Sequence, residues 1–387
     1  MFFLALRNVV AYIYLIIGFF IFDNILSSFI GPVFISASVG MSSLLACIYF
    51  LLIKKAELDK PTLLFLFGLL FYFYGIIKAV LEYSDVIGII ISSGVFMSIF
   101  IIPYLYLVKD RIKKENFDNL VLFFIILTAV SSYLALVGLN FLEFPLRATF
   151  FGLGVQLPNA LFYIFSIIYI YCINTYERYR ILILTFCIPI IFLQGHFSAT
   201  LALFLTIFLY FIHAQNIIRI IPKFIITFIS FGFFFILLDN LENINIVLSQ
   251  YFSEFSSRGS QNFLRYSLLM NESMGYGFIP SNSIILDKIE TYSLSRYDST
   301  VGTVDDGYIN IALIFGPIVG SAYLTIFLMF LLSINSNNKL DNLLLCFLYS
   351  FFVVNFTFSA LSFLQGFFVI GLSFLVIYRK KNIEYNP

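Results

Sequence analysis

The stretch IGIIISSGVFMSIFIIPYLYLV, residues 87–108, runs for 22 positions without a charged side chain. At the rise of an α-helix this length reaches about 30 Å, the thickness of a bilayer's hydrocarbon core. Similar apolar runs, bounded by charges or Gly/Pro, predict helices at residues 10–30, 33–53, 62–81, 87–108, 120–139, 159–174, 181–194, 197–213, 224–239, 308–332, 343–361 and 364–378. About twelve spans of roughly 20 residues would use roughly 240 positions and leave loops too small for a second large domain. The expectation is an all-α integral membrane protein of about 12 transmembrane helices, with residues 1–387 forming a single polytopic domain.

Composition agrees. Of 387 residues, 61% are hydrophobic and 11% charged, with 51 Phe, 25 Tyr and no Trp. A soluble domain would carry about 25% charged residues, and a disordered chain would be poor in apolar ones. The formal net charge of +1 leaves no electrostatic footprint for nucleic acid. Cys47, Cys172, Cys187 and Cys346 all lie in apolar runs without metal-ligand spacing, so neither a disulfide framework nor a zinc site is expected. The first run follows Arg7 but precedes no A-x-A cleavage site, and reads as a membrane anchor. The shortest pair, residues 181–194 and 197–213, flanks Gln194-Gly195-His196 and reads as either a broken helix or a re-entrant hairpin.

Lys and Arg set the expected orientation. With the N-terminus inside, sixteen of the 22 fall in inner loops, five in outer loops, and Lys78 within a helix. Both termini are then cytoplasmic, in a cytoplasmic membrane. The inner loops hold nothing longer than the basic stretch 109–119, whereas two outer segments are long, 140–158 with 19 residues and 240–306 with 67. Chemistry is expected on the outer face.

Four of the five outer cations lie in the large loop: Arg258, Arg265, Lys288 and Arg296. Phe263, Leu264, Leu268 and Leu269 recur at helical spacing, so an amphipathic surface helix from Ser257 would put Arg258 and Arg265 on nearly one face. Two guanidiniums near a helix N-terminus suit a diphosphate, while simple pairing with Glu254 and Glu272 is the alternative. Arg147 either snorkels to the headgroups or binds an anion. Asp305-Asp306 opens the helix at 308: capping is one reading, a general base or a metal ligand the other. His196 is a proton-transfer candidate or an interfacial turn residue. Lys78, four residues before Glu82, reads as a helical ion pair or a snorkelling cation. Tyr251, Tyr266, Tyr276, Tyr292 and Tyr297 suit sugar faces and membrane interfaces equally.

With these residues in view, the chain resembles the bacterial O-antigen and capsule repeat-unit polymerases, with the O-antigen ligases as relatives. The resemblance covers the plan of most of the chain: about a dozen spans, small loops, and a large outer loop before the last three helices. Locally it rests on Arg147, Gly152 and Pro158-Asn159, on Ser257-Arg258, on Gly275-Tyr276-Gly277, and on Asp306-Gly307-Tyr308-Ile309-Asn310 with Gly316 and Gly320 beyond. Two departures stand out. Gln194-Gly195-His196-Phe197-Ser198 lacks the arginine of the family's Thr-x-Ser-Arg-like step, and Asp306-Gly307 replaces the His-Asn pair common in ligases, which favours a polymerase.

The resemblance implies a GT-C-like, metal- and cofactor-independent glycosyltransferase that joins undecaprenyl-diphosphate-linked oligosaccharides at the outer face of the membrane. It implies Arg147, Arg258 and Arg265 on the diphosphate, and Asp306 or His196 as base. Arg296, Asn159 and Tyr308 would complete the substrate site. Expected partners are the lipid-linked oligosaccharide, membrane lipids, a flippase and chain-length regulator proteins. The competing class is a lipid-linked oligosaccharide flippase, but apart from Asp239 at the last position of 224–239 only Asp23 and Lys78 are charged within helices, and all lie towards outer ends.

Overall fold

The computed structural model describes residues 1–21, 32–54, 60–137, 157–173, 175–193, 197–214, 269, 272–280, 283–285, 307–334, 338–355, 361 and 363–379. Among them all regular structure is helical. In chain order the helices are α1 (Phe2–Arg7), α2 (Val9–Ile21), α3 (Pro32–Ile48), α4 (Lys60–Glu82), α5 (Val86–Met97), α6 (Ile101–Leu107), α7 (Lys114–Val137), α8 (Leu157–Cys172), α9 (Arg180–Leu193), α10 (Phe197–Ala214), α11 (Gly307–Leu332), α12 (Lys339–Val354) and α13 (Leu364–Tyr378). Helix occupies eleven of the twelve expected positions; 224–239 lies outside the described residues.

Four segments are long and apolar enough to cross a membrane: Phe34–Ile53, Thr62–Glu82, Val86–Leu107 and Gly307–Leu332. A fifth crossing would be the pair Ala160–Cys172 and Glu177–Ile191, bent by 114°. Several apolar helices mark this as a membrane protein. The sharp bend lies between α8 and α9; the Gln194–His196 turn, where a broken helix or re-entrant hairpin was expected, lies outside the described residues.

Backbone chemistry explains the irregularities. Within Val86–Leu107, the 3-10 turn Ser98–Phe100 precedes Pro103, which has no N–H to return to the Ile99 carbonyl. Asp85 caps α5 by accepting from Gly88 N–H at 2.9 Å, and Asn338 caps α12 by accepting from Asp341 N–H at 2.8 Å. α7 begins at Lys114, inside the stretch read as an inner loop. Asp118 is 1% exposed there, yet its carboxylate accepts the hydroxyls of Tyr169 and Thr175, both at 2.6 Å. Those charge-assisted bonds let a polar turn join the bundle. α12 is described to Val354, Asn355 Oδ1 accepts the N–H of Leu361 at 3.1 Å, and residues 356–360 of the expected span lie outside the described residues.

In hydrocarbon, lipid tails compete equally for apolar side chains, so close packing and interhelical hydrogen bonds hold helices together. A Cβ on Gly40 would strike the backbone of Met97, and one on Gly94 would strike Ala37, so α3 and α5 touch through glycine. Buried tyrosines stitch other pairs. Tyr12 Oη bonds Ser42 at 2.7 Å, Tyr104 donates to the Ala5 carbonyl at 2.9 Å, and Tyr323 donates to that of Leu361 at 3.0 Å.

The ends of the bundle differ in charge. At one end Arg111 reaches the Leu6 carbonyl, Arg379 that of Ile112, Arg180 that of Ile173, and Lys339 the Tyr171 hydroxyl. At the other, Lys78 faces Glu82 and Glu272.

Candidate functional site

The site grows from a flaw in α11. Pro317 has no N–H, so the carbonyl four residues back, Leu313, cannot be satisfied within the helix. Gly316 leaves helical geometry altogether, at φ 80° and ψ 160°, which also strands the Ile314 carbonyl. Two orphan acceptors at membrane depth cost free energy unless other protein groups cover them.

Residues 276 and 277 supply those groups. Tyr276 N–H donates to Leu313 O at 2.7 Å, and Gly277 N–H to Ile314 O at 2.9 Å. This approach requires glycine: Gly275 and Gly277 have φ of 76° and 70°, a region that disfavours other L-residues. A Cβ on Gly275 would strike the Gly316 backbone, and one on Gly316 would strike the carbonyl of Ser273. On its other side the segment lies on α4. A Cβ on Gly277 would meet the backbone at Gly75 and Ala79, and one on Gly75 would meet the Phe278 ring. Phe278 thus sits among Tyr72, Phe96 and Phe315, with ring centroids 5.7, 5.9 and 6.4 Å away. Residues 272–280 form a plug between α4 and the broken α11.

Polar groups rim the plug. Tyr74 Oη donates to the Met274 carbonyl at 2.8 Å. Lys78 Nζ lies 3.4 Å from both Glu82 and Glu272. Leu269, Tyr276, Ile279, Ile309 and Leu313 form a small apolar cluster with Tyr83 packed against it. The Tyr83 hydroxyl is buried without a hydrogen-bond partner. Burial pushes the Tyr83 phenol well up, with Glu82 and Tyr276 adding to it, and raises that of Tyr276 as well. Both phenols stay protonated through the neutral range, so they can donate hydrogen bonds but cannot serve as bases.

The start of α11 is anchored separately. Gly307 N–H donates to the Asn355 carbonyl at 2.7 Å, and Tyr308 Oη donates to that of Phe352. Gly307 has no space for a Cβ, because the Asn355 side chain occupies it. Asn355 is fully buried, and its Nδ2 has no hydrogen-bond partner.

The expected site residues fall as follows. Arg147, His196, Arg258, Arg265, Arg296 and Asp306 lie outside the described residues, as does Asp305. Asn159 belongs to the first turn of α8, with its side chain outside the description. Tyr308 has its hydroxyl committed to the α12 backbone. Two elements read as motifs, Gly275-Tyr276-Gly277 and Gly316, meet in direct contact.

Sequence reasoning assigned no function to Lys78, Glu272, Tyr83 or Asn355. Asn355 carried a signal, as a lone amide in an apolar run, since polar groups within membranes are costly. Glu272 carried none, because its partner is 194 positions away. Among the described residues no three His, Cys, Asp or Glu side chains converge as a metal site would require. No family model, curated protein or solved structure matches the chain.

Proposed function

We propose that the chain polymerises undecaprenyl-diphosphate-linked oligosaccharide repeat units into O-antigen or capsular polysaccharide, as a GT-C-like membrane glycosyltransferase of about twelve spans. The observation that carries this reading is the plug: the large loop is built into the helix bundle by backbone hydrogen bonds between residues 276–277 and 313–314. A loop that only covered the surface would have no need of this attachment. Held in this way, it supports a fixed reaction site where the loop meets α11.

In this reading Arg147, Arg258 and Arg265 offset the diphosphate charge of the leaving lipid, and Arg296 belongs to the substrate surface. Asp306, one residue before the docked Gly307, takes the proton of the acceptor hydroxyl, with His196 as the other candidate base. Asn159 and Tyr308 belong to the substrate surface, and Tyr308 acts by holding the start of α11 to α12. The bond formed joins the acceptor oxygen to the anomeric carbon of the growing chain, and the bond broken releases undecaprenyl diphosphate. The enzyme would work in the cytoplasmic membrane with both termini cytoplasmic, beside a flippase and chain-length regulators.

A lipid-linked oligosaccharide flippase is the second reading, and the broken helix favours it, because transporters use unwound carbonyls to bind coupling ions. Here, however, the Leu313 and Ile314 carbonyls are already occupied by loop N–H groups. The test is to delete the protein in its host and run the surface glycan on a gel. Collapse of the ladder to a single capped repeat supports a polymerase. Loss of the single capped repeat as well would favour the flippase or a ligase, and an unchanged ladder would overturn all three readings.

A further inference from the structure

At the end of the bundle opposite the plug, a groove of about 450 Å³ runs between α8, α9, α10 and α12. Its walls include Ile168, Leu184, Ile188, Phe204, Ile207 and Leu343. Of the three wall hydroxyls, that of Thr206 is spent on the Ala202 carbonyl at 2.6 Å and that of Tyr171 accepts from Lys339 at the mouth, while Tyr210 is the third. Phe204 and Ile207 are more than half exposed, so the groove opens sideways, as a bilayer-accessible slot must.

Its mouth is basic. Tyr171 lines one end, and Lys339 Nζ sits 3.1 Å from the Tyr171 hydroxyl and 4.2 Å from its ring centroid. Arg180 donates to the Ile173 carbonyl at 2.7 Å through one Nη, and its Nε is buried without a partner. The charges of both cations reach the Cys172 thiol, beside Tyr171. Neither pairs with a carboxylate among the described residues, where the ion pairs belong to Lys78.

An apolar slot open to lipid, ending at two cations that form no ion pair among the described residues, matches an amphiphile with an anionic head. Basic pockets between helices are known binding places for anionic phospholipid headgroups. We infer that this groove holds one acyl chain of an anionic diacyl phospholipid, its phosphodiester at Lys339 and Arg180. The buried Arg180 Nε is placed to gain an acceptor, and the Tyr171 hydroxyl to share one. The inference does not rest on the polymerase reading, whose site lies at the other end.

The full chain would be exchanged into micelles containing equal phosphatidylglycerol and phosphatidylcholine, then read by native mass spectrometry for retained lipid. The wild type should keep one phosphatidylglycerol in preference to phosphatidylcholine. Lys339→Gln with Arg180→Gln should cut that retention by about tenfold or more, given two lost headgroup contacts. Ile207→Trp, which fills the groove and leaves the mouth intact, should reduce it as well, whereas Lys109→Gln, a cation stacked on Tyr106 away from the groove, should not. Equal retention of both lipids by the wild type overturns the inference. So does undiminished retention in the groove-filled variant, or displacement of phosphatidylglycerol by added polyprenyl phosphate. If the double variant does not fold, the wild-type competition and Ile207→Trp decide alone.

Discussion

The amide of Tyr276 donates to the carbonyl of Leu313 across 2.7 Å, joining two residues 37 positions apart where Pro317 denies that carbonyl a helical partner. Residues 272–280 and the break in α11 are therefore one structure. Neither makes energetic sense alone: the break would leave orphan acceptors, and the loop would expose its own donors.

Pro317→Ala restores an N–H that competes with Tyr276 for the Leu313 carbonyl. The expected result is a protein that inserts and folds but holds its loop loosely, seen as faster cleavage near residue 275 by an added protease. Gly316→Ala is harsher, because φ 80° with ψ 160° is essentially a glycine-only conformation costing another residue about 1–3 kcal/mol before the Cβ meets the Ser273 carbonyl. It should lower the thermal midpoint and the yield of monodisperse protein. A Gly316→Ala variant as stable as wild type would contradict the plug.

Lys78 ties α4 to the loop through Glu272 and to its own helix through Glu82. Both pairs are partly exposed and 3.4 Å long, so each should contribute only about 0.5–1 kcal/mol. A double-mutant cycle with Lys78→Met and Glu272→Gln should show coupling of that size. Salt should weaken it, and Glu82→Gln should release the loop less than Glu272→Gln does.

Tyr83→Phe removes a buried hydroxyl that has no hydrogen bond, so a gain of about 1 kcal/mol is expected in thermal unfolding. The sign of the pH effect follows from the raised phenol. The folded pKa lies above the unfolded one of about 10, so the wild type keeps its full stability below that pH and loses it as pH climbs further. The Phe variant should show a shallower loss, and a steeper one would refute the burial of this hydroxyl.

Arg258→Ala and Asp306→Asn test the proposed chemistry. Each should remove polymer from membranes that still contain normal amounts of the protein, with Asp306→Asn slowing synthesis by about 10²-fold or more if it is the base. Unchanged polymer in Arg147→Ala, Arg258→Ala and Arg265→Ala alike would refute the diphosphate assignment. If His196→Ala proves silent while Asp306→Asn does not, the base is assigned to Asp306.

Asp118→Ala should destabilise the protein by about 1–3 kcal/mol, because the Tyr169 hydroxyl would be left buried without its acceptor. Asp118→Asn keeps one acceptor and should cost less. Thermal unfolding of the two variants separates them.

Apolar run length alone determined that the chain is helical and built for a membrane. Hydrocarbon leaves a backbone few ways to satisfy its own polar groups, so about 20 uncharged residues carry the whole message. Gly275, Gly277 and Gly316 stood out in the sequence as motif glycines, whereas Pro317 drew no reading there. Their meeting was not visible, because a hydrogen bond from residue 276 to residue 313 depends on how helices pack, and no local pattern encodes it. The same reason hid Glu272 beside Lys78, Asn355 against Gly307, and Lys339 over Tyr171. Asp118 read as part of a loop because a lone carboxylate looks solvated until Tyr169 and Thr175 are brought to it. Residue type is a one-dimensional property and decides what can enter the bilayer. Which orphan donor meets which orphan acceptor is settled only when the helices close on one another, and the plug at the break in α11 formed at that stage.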